Sequence, residues 1–231
     1  MAPHFLSSLA RVDRAVAACL IPLAVYILIS GLDDLVVGLA CVFDWMRRAL
    51  LGRGGLPRPA DSELPALPQK RIAIFVPAWQ EDAVIADMAA HNIAAIRYRN
   101  YDFFVGAYPN DGPTLSEVRK LEARFANVHL AVCPNDGPTS KADCLNWTYQ
   151  RMVLYEEEHG VRFEVVVTHD AEDMVHPDSL RWINYYAGGY DFVQIPVLAL
   201  PTPLRSVIHG VYCDEFAEYQ TKDIPARKIT G

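Results

Sequence analysis

"VVVTHDAEDMVHPDSL" (165–180) joins an apolar run to a group of acidic residues and then to a segment with helical spacing. Its apolar part belongs to a predicted buried strand at 163–170, because β-branched residues dominate the run. Asp178 is the expected N-cap of a helix at 179–187. A strand, a polar turn and a helix in this order form the unit from which parallel α/β sheets are built. The stretch therefore predicts an α/β fold with acidic residues where a strand ends.

The same alternation extends along the chain on both sides of this unit. Further apolar, β-rich runs predict strands at 71–78, 101–108, 127–133 and 191–199. Segments with helical spacing lie between them, at 81–96, 115–125 and 141–160. The predicted fold class is thus α/β, with a mostly parallel Rossmann-like sheet. Ligands of such sheets bind outside the carboxyl ends of the strands.

The hexapeptide "PNDGPT" occurs twice, at 109–114 and at 134–139, each time directly after a predicted strand. The flanking sequences differ, so a duplicated structural unit does not explain the repetition. Both copies are expected at the same edge of the sheet. Two interpretations remain open: loops that serve one ligand, or ordinary turns, for which Asn-Asp-Gly-Pro is also suited.

The N-terminal part contains a run without charges, "VAACLIPLAVYILISGL" (16–32), long enough to cross a bilayer as one helix. Asp33 and Asp34 end this run, and a shorter apolar run at 35–43 is expected to be interfacial or a continuation of the helix. A secretory signal peptide is the alternative, but no small-residue cleavage site follows closely. We therefore predict a transmembrane helix.

Basic residues are more numerous after this run than before it, which places the rest of the chain in the cytoplasm by the positive-inside rule. Those after it are Arg47, Arg48, Arg53, Arg58, Lys70 and Arg71, and those before it are Arg11 and Arg14. The expected domains are a membrane anchor at 1–45, a Pro/Gly-rich linker at 46–69 and a soluble domain at 70–231.

Composition excludes several classes of protein. The net charge of the 231-residue chain is −7 and no Lys/Arg block occurs, so no nucleic-acid partner is expected. The five cysteines form no CxxC pair, so neither a zinc knuckle nor a disulfide framework is indicated.

The acidic residues after the strand at 163–170 predict a cation site. Carboxylates crowded at the mouth of a sheet repel one another unless a cation neutralises them, and Asp170 and Glu172 offer the hard oxygen ligands that Mg²⁺ or Mn²⁺ prefers. A solvated turn is the alternative. His169 and His176 suggest a zinc site or a metal-dependent phosphohydrolase, but there the His-Asp pair lies in an all-helical domain, and here it ends a strand.

Two further residues are expected at the same edge of the sheet. Lys141 opens the helix at 141–160, and a helix N-terminus with a lysine is a suitable seat for a diphosphate. Glu81 follows the first strand, where an acid can accept hydrogen bonds from a base or a ribose.

These residues together resemble family 2 glycosyltransferases with the GT-A fold, over roughly 70–200. The stretches that carry the resemblance are "VPAWQED" (76–82), the first "PNDGPT", "NDGPTSKADCLN" (135–146) and "HDAED" (169–173). The resemblance implies that this part is the nucleotide-sugar-binding half of the fold. It implies that Asp111 contacts uracil, that Lys141 contacts the diphosphate, and that Asp170 and Glu172 hold the metal, Mg²⁺ or Mn²⁺.

More narrowly, the chain resembles the group of inner-membrane glycosyltransferases called phage adsorption protein B, through its leading helix and the wording "HDAEDMVHPDSL" (169–180). This implies a hexosyltransferase-type enzyme of the bacterial inner membrane with its catalytic domain in the cytoplasm. The implied partners are a UDP-sugar donor, a polysaccharide or lipid-linked acceptor and export-complex subunits.

The chain also departs from the family pattern. Its metal turn reads Asp-Ala-Glu instead of Asp-x-Asp, and neither a later acidic turn with a general base nor a Q-x-x-R-W-like motif is found. The expectation is a donor-binding domain that is incomplete at its C-terminus, with the general base beyond Gly231. A truncated, non-catalytic fragment that binds nucleotide or serves as a scaffold is the alternative. A sugar nucleotidyltransferase is disfavoured, because no Gly-rich, Arg/Lys-containing signature lies near the first strand.

Overall fold

The computed structural model describes residues 2–51, 58–60, 62–200, 203 and 205–230. The chain divides into two compact units. One is continuous, Arg58–Val193, and the other combines Met1–Pro57 with Gln194–Gly231. Residues 52–57 and 61 of the expected linker lie outside the described residues. The predicted domain boundaries at 45 and 69 therefore remain predictions.

The continuous unit contains a sheet of four parallel strands, as the sequence predicted for its fold class. The strands are β1 (Ile72–Pro77), β2 (Tyr101–Ala107), β3 (Val128–Val132) and β4 (Val165–Thr168). Their order across the sheet is β3-β2-β1-β4. Because the chain moves outward from β1 to β3 and then returns to the other side of β1, the strand order reverses between β1 and β4. Ligands of doubly wound sheets bind at such a reversal, outside the carboxyl ends of the strands.

Helices follow each strand of this unit. They are α2 (Ile85–Ala95), α3 (Gly112–Arg124), α4 (Lys141–His159) and α5 (Ser179–Tyr186). The bounds of α4 agree with the prediction because both of its ends are marked in the sequence. The Ser140 hydroxyl accepts from the Asp143 backbone N–H at 3.1 Å, and Gly160 ends the helix with a φ of 62°.

Both faces of the sheet are covered, which explains why β1 and β2 are apolar almost throughout. Side chains of a strand alternate between the two faces. On one face, Ile74 and Phe103 belong to a buried cluster with Met88 of α2. On the other face, Phe75 and Phe104 pack with Met152 of α4.

The prediction of a fifth strand at 191–199 is wrong. These residues are described, and they form neither a strand nor a helix. The run is mostly apolar, but it contains Pro196, which has no N–H to donate to a ladder and is poorly tolerated inside a sheet.

The second unit begins with α1 (Ala2–Leu51), a single helix that continues through Asp33 and Asp34. The shorter apolar run at 35–43 is thus a continuation of the first, which was one of the two expectations. The part from Asp13 to Leu51 is long and apolar enough to cross a membrane, by length and composition. Its apolar side chains are mostly exposed in the described residues.

The C-terminal segment packs against α1. It consists of α6 (Val207–Glu218), a π-helical turn (Tyr219–Asp223) and α7 (Ile224–Thr230). Ala226 and Val37 are both buried, and the Cys41 thiol donates to the Lys222 carbonyl oxygen at 3.4 Å.

Candidate functional site

The candidate site lies where β1 and β4 end, at the reversal of strand order. β1 continues into Ala78 and Trp79, and β4 continues into His169 and the acidic turn 170–173. The two strands are direct neighbours, with Phe75 in register with Thr168. The loops that follow them therefore leave the sheet side by side.

The acidic turn is closed by its own residues. The Asp170 N–H donates to Asp173 Oδ2 at 2.8 Å, and the Asp173 N–H donates to the Asp170 carbonyl oxygen at 3.1 Å. The carboxylate of Asp173 is thus engaged by the backbone of the turn. The carboxylate of Asp170 is half exposed and pairs with another side chain.

A buried asparagine of α2 forms hydrogen bonds to the backbone of the turn. The Asn92 amide donates to the Asp173 carbonyl oxygen at 2.8 Å, and Asn92 Oδ1 accepts from the Val175 N–H at 3.1 Å. Asn92 is fully buried, and an amide in this position fixes the backbone of a polar turn to a helix. Sequence reasoning missed Asn92, although a lone amide on the apolar face of a predicted helix was a usable signal.

Lys141 and Asp170 form an ion pair between the ammonium and the Asp170 Oδ1 atom. Lys141 is the first residue of α4, and Asp170 directly follows the extension of β4. The structure therefore brings together two of the residues that the sequence placed in one crevice. Both side chains are about half exposed, at 57% and 50%, so either can be reached by a ligand.

Glu81 experiences the combined charge of the site. Burial raises the pKa of its carboxyl, and Glu172, Asp170, Asp111 and Asp82 raise it further by repulsion. This places Glu81 within electrostatic reach of the two proposed metal ligands. Such a concentration of negative charge favours a cation.

The side chains present suit a hard divalent cation by their chemistry, because Asp170 and Glu172 supply carboxylate oxygens. Within the described residues, however, no group of three or more His, Cys, Asp or Glu side chains is arranged as a complete metal site. Two carboxylates suffice where substrate phosphates and water provide the remaining ligands, as is usual for Mg²⁺. The donor set therefore fits a metal that is shared with a phosphorylated ligand.

Asp111 is the N-cap of α3 and is buried. Its Oδ1 accepts from the Thr114 N–H at 3.4 Å, and its Oδ2 accepts from the Gln80 N–H at 2.6 Å. Gln80 has a φ of 58°, a rare conformation for a residue other than glycine, so this bond holds a strained loop. The loop after β1 is further tied down because the Glu81 N–H donates to Thr114 Oγ1 at 3.0 Å. Contact of Asp111 with a base remains a prediction.

The two "PNDGPT" copies contact each other through one side chain. Asn110 of the first copy donates from Nδ2 to the Gly137 carbonyl oxygen and accepts at Oδ1 from the Gly137 N–H, both at 2.7 Å. The corresponding residues of the second copy, Asn135 and Asp136, are exposed. The copies are therefore alike in sequence but differ in what their side chains do.

Aromatic rings pack beneath the second copy. Trp79 and Tyr108 meet edge to face, with ring centroids 5.4 Å apart. A Cβ on Gly137 would lie 2.6 Å from carbons of both rings, so only glycine fits there. The Tyr108 hydroxyl and Thr139 Oγ1 are also hydrogen bonded, at 2.8 Å. The loop at 134–139 is thus seated on the end of β1 and on the first copy.

The two histidines lie in different surroundings. Burial lowers the pKa of His169, whose Nδ1 is buried and without a hydrogen-bond partner among the described residues. His176 Nδ1 accepts from the Asp178 N–H at 3.2 Å and so belongs to the turn before α5. Asp178 occupies the N-cap position as expected, but its carboxylate pairs with Arg181 and Arg97 and does not cap the helix.

Comparisons with known proteins place this geometry in a family. The model of the family described as "Glycosyltransferase like family 2" matches residues 68–228. Bacteriophage adsorption protein B of Escherichia coli strain K12 and Bacteriophage N4 adsorption protein B of Escherichia coli O157:H7 are each 40% identical to the chain over 208 residues. These matches cover 90% of the chain and 28% of each relative, so the chain spans little more than a quarter of their length.

A solved structure is also similar, that of the mannosyltransferase PcManGT from Pyrobaculum calidifontis in complex with GDP-Man and Mn2+. The identity is 18% and the TM-score 0.48, over 78% of this chain and 48% of that one. The resemblance inferred from the motifs is confirmed by the family match and by the Escherichia coli relatives. The chain belongs to the glycosyltransferase-like family 2.

Proposed function

We propose that the chain is a membrane-anchored, metal-dependent glycosyltransferase of the hexosyltransferase type. It transfers a sugar from a UDP-sugar to a growing cell-surface or exported polysaccharide. The observation that carries this proposal is the ion pair between Lys141 and Asp170 at the reversal of strand order. A cation for phosphates and a carboxylate for a metal lie side by side there, as a nucleotide diphosphate requires.

The phosphate side of the donor site consists of Lys141 and the first turn of α4. Backbone N–H groups at a helix N-terminus and the helix dipole favour an anion, and Lys141 adds a full positive charge. When the diphosphate binds, Lys141 exchanges Asp170 for phosphate oxygens. The exchange costs little free energy, because exposed ion pairs are weak.

Asp170 and Glu172 hold Mg²⁺ or Mn²⁺ in this proposal. The metal, when bound, neutralises the charge that develops on the departing UDP. Release of Asp170 from Lys141 makes its carboxylate available to the metal, so the same exchange prepares both sides of the site. Asp173 supports the turn through its bond to the Asp170 N–H.

The base side of the donor site follows β1 and β2. Asp111 accepts a hydrogen bond from uracil in addition to its backbone bonds, since a carboxylate has capacity for about four. Glu81 contributes a contact to the base or the ribose. The bond between Gln80 and Asp111 keeps these two loops together.

The acceptor is a polysaccharide or a lipid-linked sugar, and export-complex subunits are proposed as partners. Inversion at the sugar requires a base that deprotonates the acceptor hydroxyl. No residue of this chain is assigned that role.

The anchor is α1, with the sheet domain on the cytoplasmic side of the bacterial inner membrane. The uncharged run at 16–32 and the excess of basic residues after it support this orientation.

The test uses the full chain in detergent. Calorimetric titration with UDP, with Mn²⁺ or with chelator, measures the metal dependence of binding, and equal affinity in both would exclude the metal role. Sugar transfer from UDP-sugars to membrane extracts measures activity. Metal-dependent binding without transfer would favour the alternative, a nucleotide-binding fragment without turnover.

A further inference from the structure

We propose that Asn110 is a positioning residue that acts on the phosphate side of the donor site, although it belongs to the copy of "PNDGPT" on the base side. It does so through its two hydrogen bonds to Gly137. The inference rests on the proposed function, because it concerns the same nucleotide site. It assigns a role to the first copy that differs from base recognition.

The geometry of the bonds is the first argument. A side-chain amide that both donates to and accepts from one residue copies the pairing of two backbone strands, and it fixes the orientation of that peptide. Both bonds measure 2.7 Å, at the short end of the normal range. Asn110 itself is exposed, so burial does not explain its conformation.

The position of Gly137 is the second argument. It lies four residues before Lys141, and Trp79 and Tyr108 pack where its side chain would be. The loop at 134–139 therefore packs on the two rings and is also hydrogen bonded to Asn110. Fixing Gly137 restricts the short segment that leads to Ser140, the N-cap of α4, and to the lysine of the phosphate site.

The difference between the two copies is the third argument. Asn135 is the counterpart of Asn110, is exposed, and forms no side-chain hydrogen bond within the described part of the chain. If the hexapeptide were only a turn, its two asparagines would be equivalent. The chain thus contains a matched control for the role of Asn110.

The experiment measures binding of UDP and of uridine, with Mn²⁺ present, to the native full chain and to Asn110→Ala, Asn135→Ala and Lys141→Ala. Asn110→Ala is expected to lower the affinity for UDP about five- to tenfold, because the loop is no longer preorganised. The affinity for uridine should change by no more than about twofold. The variant should thereby behave like Lys141→Ala. Asn135→Ala should match the native chain with both ligands.

A second variant and a second measurement keep the proposal testable. Asn110→Asp keeps the acceptor for the Gly137 N–H but repels the Gly137 carbonyl oxygen, so it should fail to restore UDP binding. Amide hydrogen exchange at 134–140 should be faster in Asn110→Ala than in Asn135→Ala without any ligand. That exchange measurement still tests the contact if the native chain binds no nucleotide, an outcome that would reject the proposed function.

Three results would overturn the inference. One is an equal loss of affinity for UDP and for uridine in Asn110→Ala, which would indicate contact with the base or a general loss of structure. The second is unchanged UDP binding. The third is unchanged hydrogen exchange at 134–140.

Discussion

Lys141 and Asp170 are 29 positions apart, and their side chains form an ion pair across the candidate site. The pair joins the start of α4 to the end of β4. Because both groups are half exposed, the pair contributes no more than about 1 kcal/mol to stability. Under the proposed function, a phosphate and a metal ion each replace one partner of this weak pair at little cost in free energy.

Lys141→Ala is expected to change two affinities in opposite directions. UDP should bind about tenfold or more weakly, because a charged hydrogen bond to phosphate is lost, whereas uridine should bind as before. Mn²⁺ alone should bind slightly more tightly, because Asp170 loses a competing cation. Titration with UDP, uridine and Mn²⁺ measures the three affinities.

The control for Lys141→Ala is Lys120→Ala, which removes an exposed lysine paired with Glu117 on α3. Weaker Mn²⁺ binding in Lys141→Ala would contradict the exchange.

Asp170→Ala is expected to abolish metal-dependent UDP binding, because the main proposed metal ligand is removed. Asp173→Ala should have a milder effect, since its carboxylate accepts the Asp170 N–H and so supports the turn. Calorimetry with Mn²⁺ compares the two. Equal loss in both variants would mean that the shape of the turn, and not the Asp170 carboxylate, determines binding.

Asp111→Ala and Asp136→Ala should differ although they replace the same residue of the same hexapeptide. Asp111→Ala removes an N-cap and leaves the Gln80 N–H unpaired, so the free energy of unfolding should fall by about 2 kcal/mol. It should also lower the affinity for UDP by a factor of about 10 to 100 and reduce discrimination against GDP.

Asp136 is exposed, so Asp136→Ala should leave nucleotide choice and stability nearly unchanged. Denaturant unfolding and titration with UDP and GDP measure both effects. If the two variants behave alike, Asp111 does not define the base site.

Glu81→Gln is expected to stabilise the ligand-free domain at neutral pH. Burial and neighbouring acids raise the pKa of Glu81 above its usual 4.5, so its ionisation disfavours the folded state. That penalty is absent below pH 4.5, grows as the pH rises through the raised pKa, and is complete above it. The Tm should therefore increase by on the order of 1–3 °C near pH 7, and the gain should vanish towards pH 4.

Thermal unfolding across this pH range measures the effect of Glu81→Gln. Glu157→Gln, an exposed substitution on α4, is the control. A gain that persists below pH 4.5 would show that ionisation of Glu81 is not its cause.

The chain should fractionate with membranes, and its sheet domain should face the cytoplasm. The reason is the length and hydropathy of α1 together with the excess of basic residues that follow it. Protease added to intact spheroplasts should spare residues 70–231, and protease added after lysis should digest them. Digestion in intact spheroplasts would show the opposite orientation, in which the site has no access to cytoplasmic nucleotide sugars.

The sequence predicted those features that rest on local patterns. The apolar runs located β1 to β4, and capping residues defined both ends of α4. Lys141 and Asp170 were expected in one crevice because each follows a parallel strand, and the structure brings them into contact. The fifth strand was predicted from an apolar run, and Pro196 within that run is a local signal against a strand.

Features that depend on long-range contacts were not predictable. The contact between Asn110 and Gly137 requires that two loops lie at a specific distance, and no local pattern encodes this. Asp111 was expected to face a ligand, and its bond to the Gln80 N–H follows from how the β1 and β2 loops meet. α3 starts at Gly112, before the predicted 115, because Asp111 caps it locally by accepting from the Thr114 N–H.

The order of strands in the sheet has a consequence for synthesis on the ribosome. β1, β2 and β3 emerge consecutively and pair with neighbours that are already present, so three-quarters of the sheet can form early. β4 pairs with β1, whose residue Ile72 lies opposite Val165, and it emerges much later. Until then one edge of the central strand is unpaired, and the turn with Asp170 does not yet exist. Under the proposed function, a nascent chain therefore has the proposed base-side loops before either proposed metal ligand, and we expect nucleotide to stabilise the domain only after β4 has been made.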